Sequence, residues 1–240
     1  MTIKDLARSF KQMEAAEDTR LVPNGLFVVR LDGANFSKFT RQFQKPFSKI
    51  FEYAMNEAAE CVTRVLPNQL LVYVGSDEIS LIGSSAMADT NYGGRISKIL
   101  SLTASYASVG FLRALPRVQE DIPAFDARVI QFSSTEDILD YVTWRRLDVR
   151  KNAISMAAET YRSHKQLMGV STRERAEILV GTPHEHIPEG TFNGRFLMGT
   201  KKNFYWEPAT RELAEELCDS AAERHQKALE ARQNVDFTLE

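Results

Sequence analysis

The order of apolar runs along this chain predicts an α+β fold of the split βαββαβ type, an antiparallel sheet with helices on one face, followed by a mostly helical C-terminal extension. Short apolar runs bounded by turn residues mark four strands, at about residues 26–31, 70–74, 79–82 and 127–132. A 3.6-residue apolar period marks one helix from Pro46 to about residue 65 and a second at about 94–112. In this arrangement the first and third strands are central, antiparallel neighbours.

The segments around these strands carry sequence patterns of their own. The first 20 residues are mildly amphipathic and predict a short helix that leads into the first strand. The loop after that strand carries Phe36, Phe39 and Phe43, which we expect to pin the loop to the core. The second and third strands, with a tight turn at residues 75–78, predict a β-hairpin.

We divide the chain into a core domain at residues 1–133 and an extension at residues 134–240 that packs on it. Ser134-Thr-Glu136 is typical of a helix start, and helical patterns cover about residues 136–166 and 208–232. The region between them, residues 167–206, is rich in glycine and is predicted to be loop-rich.

Composition is that of an ordinary globular protein, with 240 residues, 43% hydrophobic and 26% charged. The formal net charge of −2 excludes a global positive field, so binding of RNA or DNA needs local basic patches. Two cysteines, Cys61 and Cys218, do not make a disulfide framework, which favours the reducing cytoplasm. The sequence shows no signal-peptide pattern and no apolar span of about 18 residues, so we expect no membrane partner.

Two acidic residues border strands that this fold makes neighbours. Asp32 ends the first strand beside Gly33, and Asp77 lies in the hairpin turn beside Glu78. Because the two strands run antiparallel, both carboxylates are expected at the same edge of the sheet. Like charges at close range are costly unless a cation or a proton lies between them, and Mg²⁺ prefers such oxygen ligands together with substrate phosphates. A single Asp-Gly is often only a turn, so the matched pair leaves a Mg²⁺ site and plain turn chemistry as the alternatives.

A basic run lies in the helix predicted after the fourth strand. It comprises Arg145, Arg146, Arg150 and Lys151, and it is bordered by Trp144 and Asn152. Such a run either contacts nucleic-acid phosphates or is simply a solvated helix face, and the residues alone leave both interpretations open.

Six segments in register resemble the tRNA-histidine guanylyltransferase-like family of 3′–5′ nucleotide polymerases. They are Arg30-Leu-Asp32-Gly33 followed by Phe36; Lys45-Pro46; Gly75-Ser76-Asp77-Glu78; Arg95-Ile-Ser97-Lys98; Phe125-Asp126-Ala-Arg128-Val; and Asp140-Tyr-Val-Thr-Trp144-Arg145-Arg146-Leu-Asp148. The resemblance implies that the core is a palm like those of polymerases and nucleotide cyclases. It also implies two Mg²⁺ ions held by Asp32, Asp77 and the backbone carbonyl of Gly33, with Glu78 joining the catalytic set as a support of the metal site.

The resemblance further implies the partners. Nucleoside triphosphates, GTP and ATP, are expected to contact Asn35, Phe36, Lys45, Ser76, Arg95 and Lys98. RNA, with tRNA as the expected class, is expected to contact Arg145, Arg146, Arg150, Lys151 and Asn152. Members of the family are commonly tetramers, so a homo-oligomer, either a tetramer or a dimer, is expected.

This chain departs from the family pattern at three places. Ser37 stands where the family has a histidine, Arg150-Lys151-Asn152-Ala153 stands where it has His-Ile-Asn-Asn, and Val180-Gly181-Thr182 replaces Lys-Gly-Thr. These changes fall where tRNA-specific recognition and one triphosphate contact are expected. They favour a divergent member that extends or repairs RNA 5′ ends after 5′ activation over a dedicated guanylyltransferase of tRNA-His.

A palm with two carboxylates is also compatible with other functions. One is a nucleotide cyclase or a cyclic-dinucleotide synthase, which needs no RNA-binding surface. Another is a non-catalytic binder of nucleotides or RNA, which would not require both Asp32 and Asp77.

Overall fold

A computed structural model of the protein describes residues 2–16, 18–67, 69–87, 92–116, 121–200 and 203–236. The strands are β1 (Leu26–Ala34), β2 (Gln69–Gly75), β3 (Glu78–Ser84), β4 (Ala124–Phe132), β5 (Arg195–Thr200) and β6 (Asn203–Pro208). The helices are α1 (Ile3–Ala16), α2 (Phe36–Phe39), α3 (Lys49–Thr63), α4 (Ile96–Ala114), α5 (Glu136–Ala158), α6 (His164–Leu167), α7 (Thr172–Leu179), α8 (Glu189–Asn193) and α9 (Arg211–Asp236).

The strands form one sheet in the order β4-β1-β3-β2-β5-β6. β1 pairs antiparallel with both β3 and β4, and its Asp32 lies opposite Glu78 on one side and Asp126 on the other. The chain runs β1, α3, β2, β3, α4, β4 apart from the short helical turns, with β1 and β3 central. The predicted α+β class with an antiparallel βαββαβ sheet is therefore confirmed.

The two faces of the sheet are covered by different helices, because successive side chains of a strand point to opposite faces. Phe27, Val29 and Leu31 of β1 pack with α3 and α4 in one buried cluster. Leu26 and Val28 pack with residues of α5 and α9 in a second. The two helices of the βαββαβ unit thus lie on one face, and helices of the C-terminal part cover the other.

Local sequence explains how α3 and α4 reach this packing. Ser48 caps α3, since its side chain accepts a hydrogen bond from the backbone N–H of Phe51 at 3.3 Å. Gly110 lets α4 approach α3, because a Cβ built there would lie 2.8 Å from the Cβ of Cys61. Among the helices that the structure describes, none is both long and apolar enough to cross a bilayer.

The loop after β1 is fixed by aromatic packing, as expected. Phe36 is 1% exposed and Phe39 is 5% exposed, and Phe43 packs against the same cluster. The Phe36 ring lies 5.0–6.1 Å, centroid to centroid, from four other phenylalanine rings. This packing holds the chain that follows the end of β1.

The loop-rich region at residues 167–206 also contains helices and strands that the sequence did not predict. This region contains α7 and α8, and β5 and most of β6 as well, and β5 pairs with β2 through Tyr73 opposite Phe196. Glycine content concealed these strands, although aromatic residues at Phe196, Tyr205 and Trp206 are typical of strands. The division at residue 133 stays a prediction, and residues on both sides of it contribute strands to the same sheet.

Candidate active site

The structure brings Asp32, Gly33, Asp77 and Glu78 together at one edge of the sheet, which we call the acidic edge. Asp32 lies near the end of β1 and directly opposite Glu78, the first residue of β3. Asp77 lies in the turn between β2 and β3, and its backbone carbonyl accepts a hydrogen bond from the N–H of Gly33 at 3.1 Å. This bond ties the turn to the end of β1, so the two aspartates are positioned by backbone rather than by flexible side chains.

The electrostatics of this edge favour a cation. Burial raises the pKa of the Asp77 carboxyl above its ordinary value, and the negative charge of Asp32 raises it further. Burial likewise raises the pKa of Glu78, although Arg145 and Arg30 act in the opposite direction. A site in which carboxylates resist ionisation because they are buried, and because they lie near one another, is one that a positive ion would stabilise.

The residues present fit a magnesium ion. Mg²⁺ is usually held by one or two carboxylates together with substrate phosphates and water, rather than by an all-protein cage. Asp32 and Asp77 supply two carboxylates, and Gly33, the residue after Asp32, supplies a backbone carbonyl. In the parts of the chain that the structure describes, no cluster of three or more His, Cys, Asp or Glu side chains is arranged for a metal ion.

Glu78 is held by two arginines. Nε of Arg145 lies 3.1 Å from Oε2 of Glu78, and Nε of Arg30 lies 3.6 Å from Oε1. The Arg145 contact is an ion pair and not a well-aligned hydrogen bond, since its Nε has no hydrogen-bond partner. Arg145 also donates to Oδ2 of Asp148 at 2.6 Å, and its guanidinium stacks 4.1 Å from the Trp144 ring centroid. Glu78 is therefore paired with two cations at the start of β3, beside Asp77.

Two of the residues predicted to bind RNA do not face solvent. Arg145 is 4% exposed and is occupied by Glu78 and Asp148, and Arg146 is 6% exposed and donates to the backbone carbonyl of Ala209 at 2.7 Å. Their predicted contact with RNA is corrected: both are buried structural cations, because α5 packs this face onto the sheet.

The remaining residues of the basic run are divided between packing and solvent. Arg150 is half-buried, donates to Oδ1 of Asn193 at 2.5 Å and lies over the ring of Phe192. Lys151 and Asn152 are exposed. Of the predicted set, these last two are open to a ligand in solution.

The residues predicted to contact the nucleotide near the acidic edge differ in how exposed they are. Ser76 lies between Gly75 and Asp77 with a left-handed φ of 54°, and it lines a cavity together with Pro46. Lys45, next to Pro46, is exposed, and Asn35 is exposed. The ring of Phe36 is enclosed by other phenylalanines, so its predicted contact with nucleotide through the side chain is corrected to a supporting role.

Arg95 and Lys98 lie at the opposite end of the sheet. Arg95 forms a β-bridge with Arg20, which precedes β1, whereas Asp32 lies near the end of β1. The Oγ of Ser108 on α4 accepts a hydrogen bond from the N–H of Phe125, the neighbour of Gly33. Arg95 precedes Ser108 by 13 positions, or about 20 Å along a helix. Within one chain the structure therefore places Arg95 and Lys98 away from this edge, and their contact with the triphosphate stays a prediction.

Several residues at or beside this edge were not predicted as functional. Arg30 pairs directly with Glu78, and Asp148 pairs with Arg145. Asp126 lies opposite Asp32 on β4. Arg195 of β5 and Glu52 of α3 line the cavity next to Ser76. Asp148, three residues after Arg145 in a helical pattern, was a visible signal of an ion pair, whereas Arg195 had none because β5 itself was missed.

Comparison with known proteins agrees with this geometry. The family model described as tRNAHis guanylyltransferase matches residues 7–133, which is 127 of the 240 residues. The chain belongs to the tRNAHis guanylyltransferase family. Its members are nucleotidyltransferases, so this chain is an enzyme of that class by descent. The match ends one residue after β4 and contains the whole acidic edge.

Curated relatives of this family align over most of the chain. A tRNA(His) guanylyltransferase of Neurospora crassa is 28% identical over 229 residues, 86% of this chain and 76% of that protein. A protein of Acanthamoeba polyphaga mimivirus is 32% identical over 184 residues, 64% of this chain and 61% of its own length, which is less than two thirds.

Solved structures of the family share the fold. A bacterial tRNA(His) guanylyltransferase-like protein in complex with ATP superposes with a TM-score of 0.76 at 24% identity, covering 89% of this chain and 99% of that one. The tRNA(His) guanylyltransferase of Saccharomyces cerevisiae gives a TM-score of 0.70 at 24% identity, covering 86% of this chain and 99% of that one.

Proposed function

We propose that this chain is a Mg²⁺-dependent nucleotidyltransferase that adds nucleotides to the 5′ end of RNA in the 3′–5′ direction. The observation that carries the proposal is the convergence of Asp32 and Asp77, which lie 45 positions apart in the sequence and are joined through the hydrogen bond from Gly33 to Asp77. Membership of the tRNAHis guanylyltransferase family supports it.

The chemistry needs positioning and charge neutralisation more than covalent help from the protein. An oxygen of the RNA 5′-phosphate first attacks the α-phosphorus of ATP, and pyrophosphate leaves. The 3′-hydroxyl of the incoming nucleotide then attacks the activated RNA phosphorus with loss of its proton, and AMP leaves. Asp32, Asp77 and the Gly33 carbonyl would hold two Mg²⁺ ions, which neutralise phosphate charge and stabilise the attacking and leaving oxygens. Lys45 and Ser76 stand beside this edge and would contact the triphosphate, with charge from lysine and a hydroxyl from serine.

The substrates follow from the relatives and from the departures of this chain. Two bacterial structures of a tRNA(His) guanylyltransferase-like protein contain ATP and GTP, and curated relatives such as that of Neurospora crassa are named for tRNA(His), so we propose both triphosphates and a tRNA-like RNA. Ser37 and residues 150–153 and 180–182 differ from the family pattern, which favours repair of 5′ ends over guanylylation of one tRNA. We place the reaction in the cytoplasm and expect a homo-oligomer.

The test is transfer of label from a triphosphate to RNA. The full chain is incubated with Mg²⁺, ATP, each labelled triphosphate separately and a panel of 5′-truncated tRNAs, and the products are mapped at the 5′ end. Asp32→Asn and Asp77→Asn should each lower the yield at least about a hundredfold, as removal of a group that stabilises transition-state charge does. Asp219→Asn, at an exposed position of α9, is the matched control and should retain the wild-type yield.

Two outcomes would contradict the proposal. If no RNA is labelled but a cyclic product of the triphosphate accumulates, the palm is a cyclase. If label is transferred equally by Asp32→Asn and wild type, the acidic edge is not the catalytic site.

A further inference from the structure

An exposed aromatic side chain borders the acidic edge. Trp144 of α5 is 50% exposed, whereas the next residue, Arg145, is buried with its Nε 3.1 Å from Oε2 of Glu78. The guanidinium carbon of Arg145 lies 4.1 Å from the centroid of the Trp144 ring. Glu78 follows Asp77 and lies opposite Asp32, so one guanidinium separates this ring from a residue of the acidic edge.

The Trp144 ring is held in one position by its neighbours. The guanidinium of Arg145 stacks on it, and Tyr141 packs against it with ring centroids 5.9 Å apart and ring planes at 73°. Tyr141 is itself buried, and its hydroxyl lies 2.8 Å from Oγ of Ser80. A ring that is fixed in this way and half exposed can stack with a ligand at little further cost in conformational entropy.

Two further side chains continue this exposed surface along α5. Leu147, which is 57% exposed, follows Trp144 by three positions, and the exposed Lys151 follows it by seven. At 3.6 residues per turn these three positions share one face of the helix, which we call the Trp144 stripe. Arg145 contacts Glu78 at the acidic edge, and Lys151 lies about 9 Å further along the helix axis.

The size and charge of the Trp144 stripe fit a nucleobase and its phosphate better than a protein partner. Along α5, all of which the structure describes, Trp144 and Leu147 are the exposed large hydrophobic side chains. One aromatic side chain buries about 150–250 Å², so this pair falls well short of the roughly 800 Å² that each partner contributes to a stable protein interface. A flat ring beside a cation is what proteins use to bind single-stranded nucleic acid, and Lys151 supplies the cation.

We propose that the 5′-terminal base of the RNA stacks on Trp144 and that this contact brings the terminal phosphate to the acidic edge; the inference rests on the proposed function. Lys151 then holds a neighbouring phosphate of the same strand. Trp144 acts through binding and orientation, and the chemistry stays with Asp32 and Asp77. Every base has a π face, so stacking is independent of base identity, which suits an enzyme that repairs diverse 5′ ends.

The test is a double-mutant cycle between protein and RNA, measured as binding by the full chain with Mg²⁺ and without triphosphate, so that it does not depend on transfer. The probes are a 5′-phosphorylated RNA hairpin and the same hairpin with an abasic first nucleotide. Loss of the base should weaken binding to the wild type at least about fivefold. Trp144→Ala should weaken binding of the intact hairpin by a similar factor, and in this variant loss of the base should cost less than about twofold.

Conservative variants separate stacking from a structural role, with the fold of each checked by circular dichroism. Trp144→Phe keeps an aromatic face and should keep the dependence on the first base, whereas Trp144→Leu keeps apolar area and should lose it. Phe10→Ala removes a 61% exposed aromatic side chain of α1 and is the matched control, which should bind both hairpins as the wild type does. Trp144→Ala should leave the salt dependence of binding unchanged, because stacking releases no counterions.

Tryptophan fluorescence reports the contact directly. The chain has two tryptophans, so Trp206→Phe leaves Trp144 as the one that emits. The intact hairpin should quench this emission, and the abasic hairpin should not. A change in emission that follows protein concentration without RNA would assign the stripe to a second copy of the chain and overturn the inference.

The cycle also separates this inference from the proposed function. If loss of the base weakens binding equally in the wild type and Trp144→Ala, or if Trp144→Leu keeps the full dependence on the base, the inference is overturned, while label transfer could still be observed. Dependence on the first base that requires Trp144, in a protein that labels no RNA, would support the inference and remove the proposed function.

Discussion

Replacement of Arg145 by alanine tests whether this residue is a buried counter-ion or an RNA contact. Its side chain is 5% exposed, and it is paired with Glu78 at 16% and Asp148 at 41% side-chain exposure. Loss of one partner of a buried ion pair costs about 3–5 kcal/mol, because the other charge is left uncompensated. Glu78 keeps Arg30 at 3.6 Å and Asp148 is well solvated, so we expect a loss at the lower limit, about 3 kcal/mol.

For a chain of this length each kcal/mol shifts Tm by about 2–4 °C, so the midpoint should fall by about 6–12 °C. Thermal unfolding followed by circular dichroism measures this. Lys151→Ala, six residues further on and exposed, is the matched control and should change stability by less than about 0.5 kcal/mol. In a Glu78→Gln background Arg145→Ala should cost less, since the carboxylate that it leaves unpaired is gone.

For RNA binding we expect the opposite ranking of the two variants, with Lys151→Ala affected and Arg145→Ala unaffected. Below the unfolding transition, Arg145→Ala should leave the salt dependence of RNA binding unchanged, whereas Lys151→Ala should lower its slope by about 0.7 if that lysine contacts a phosphate of single-stranded RNA. An Arg145→Ala variant with wild-type Tm and a reduced salt slope would show that the arginine faces RNA and that its burial has been misassigned.

Three further predictions concern the edge of the sheet and the packing of α9. Gly33→Ala should lower Tm by several degrees in thermal unfolding, because the added Cβ would lie 2.3 Å from the fixed ring of Phe36 and overpacking costs about 1–3 kcal/mol. Burial lowers the pKa of His225, whose Nδ1 lies 2.8 Å from Oγ of Ser84, so protonation of this histidine favours the unfolded chain. The stability contributed by neutral His225 is therefore complete above pH of about 6.5 and is lost as the pH falls below that value. Urea unfolding between pH 5.5 and 7.5 should show a shallower acid loss for His225→Asn than for wild type, while the exposed His164→Asn should follow the wild type. Chelation of Mg²⁺ should abolish label transfer and leave the far-ultraviolet circular dichroism unchanged, since Gly33 and Asp77 are joined by a backbone hydrogen bond; a loss of helix or strand signal would mean that metal holds the fold.

The fold of the first four strands and the position of the acidic edge could be predicted from the sequence for one physical reason. A strand buried on both faces is recognisable as an apolar run, and in an antiparallel pair the end of one strand meets the start of the other. Asp32 after β1 and Asp77 before β3 had to meet. The position of Arg95 followed from the same rule and was overlooked: β3 ends beside the start of β1, so the helix after it begins at that far end.

Burial of individual charges was beyond sequence reasoning. Arg145, Arg146 and Lys151 all carry a positive charge, so the sequence does not distinguish them. They differ in whether their side of α5 packs on the sheet and in whether a hydrogen-bond acceptor lies there. The hydrophobic pattern of α5 is weak because its buried side contains these arginines. β5 and β6 were missed because their short aromatic runs lie among glycines, and the pairing of β5 with β2 is a long-range contact without a local signal.

The pairing of β5 with β2 has a consequence for any attempt to excise the half of this enzyme that matches the family model. A fragment cut after residue 133 would lose the partner of β2, and it would leave Tyr73, whose hydroxyl donates to the Asn193 carbonyl at 2.8 Å, with an orphaned polar group beside an open hydrogen-bonding edge. Bare edges of this kind recruit strands from other molecules. The minimal unit that stays dispersed in solution is thus longer than residues 7–133, which match the family model.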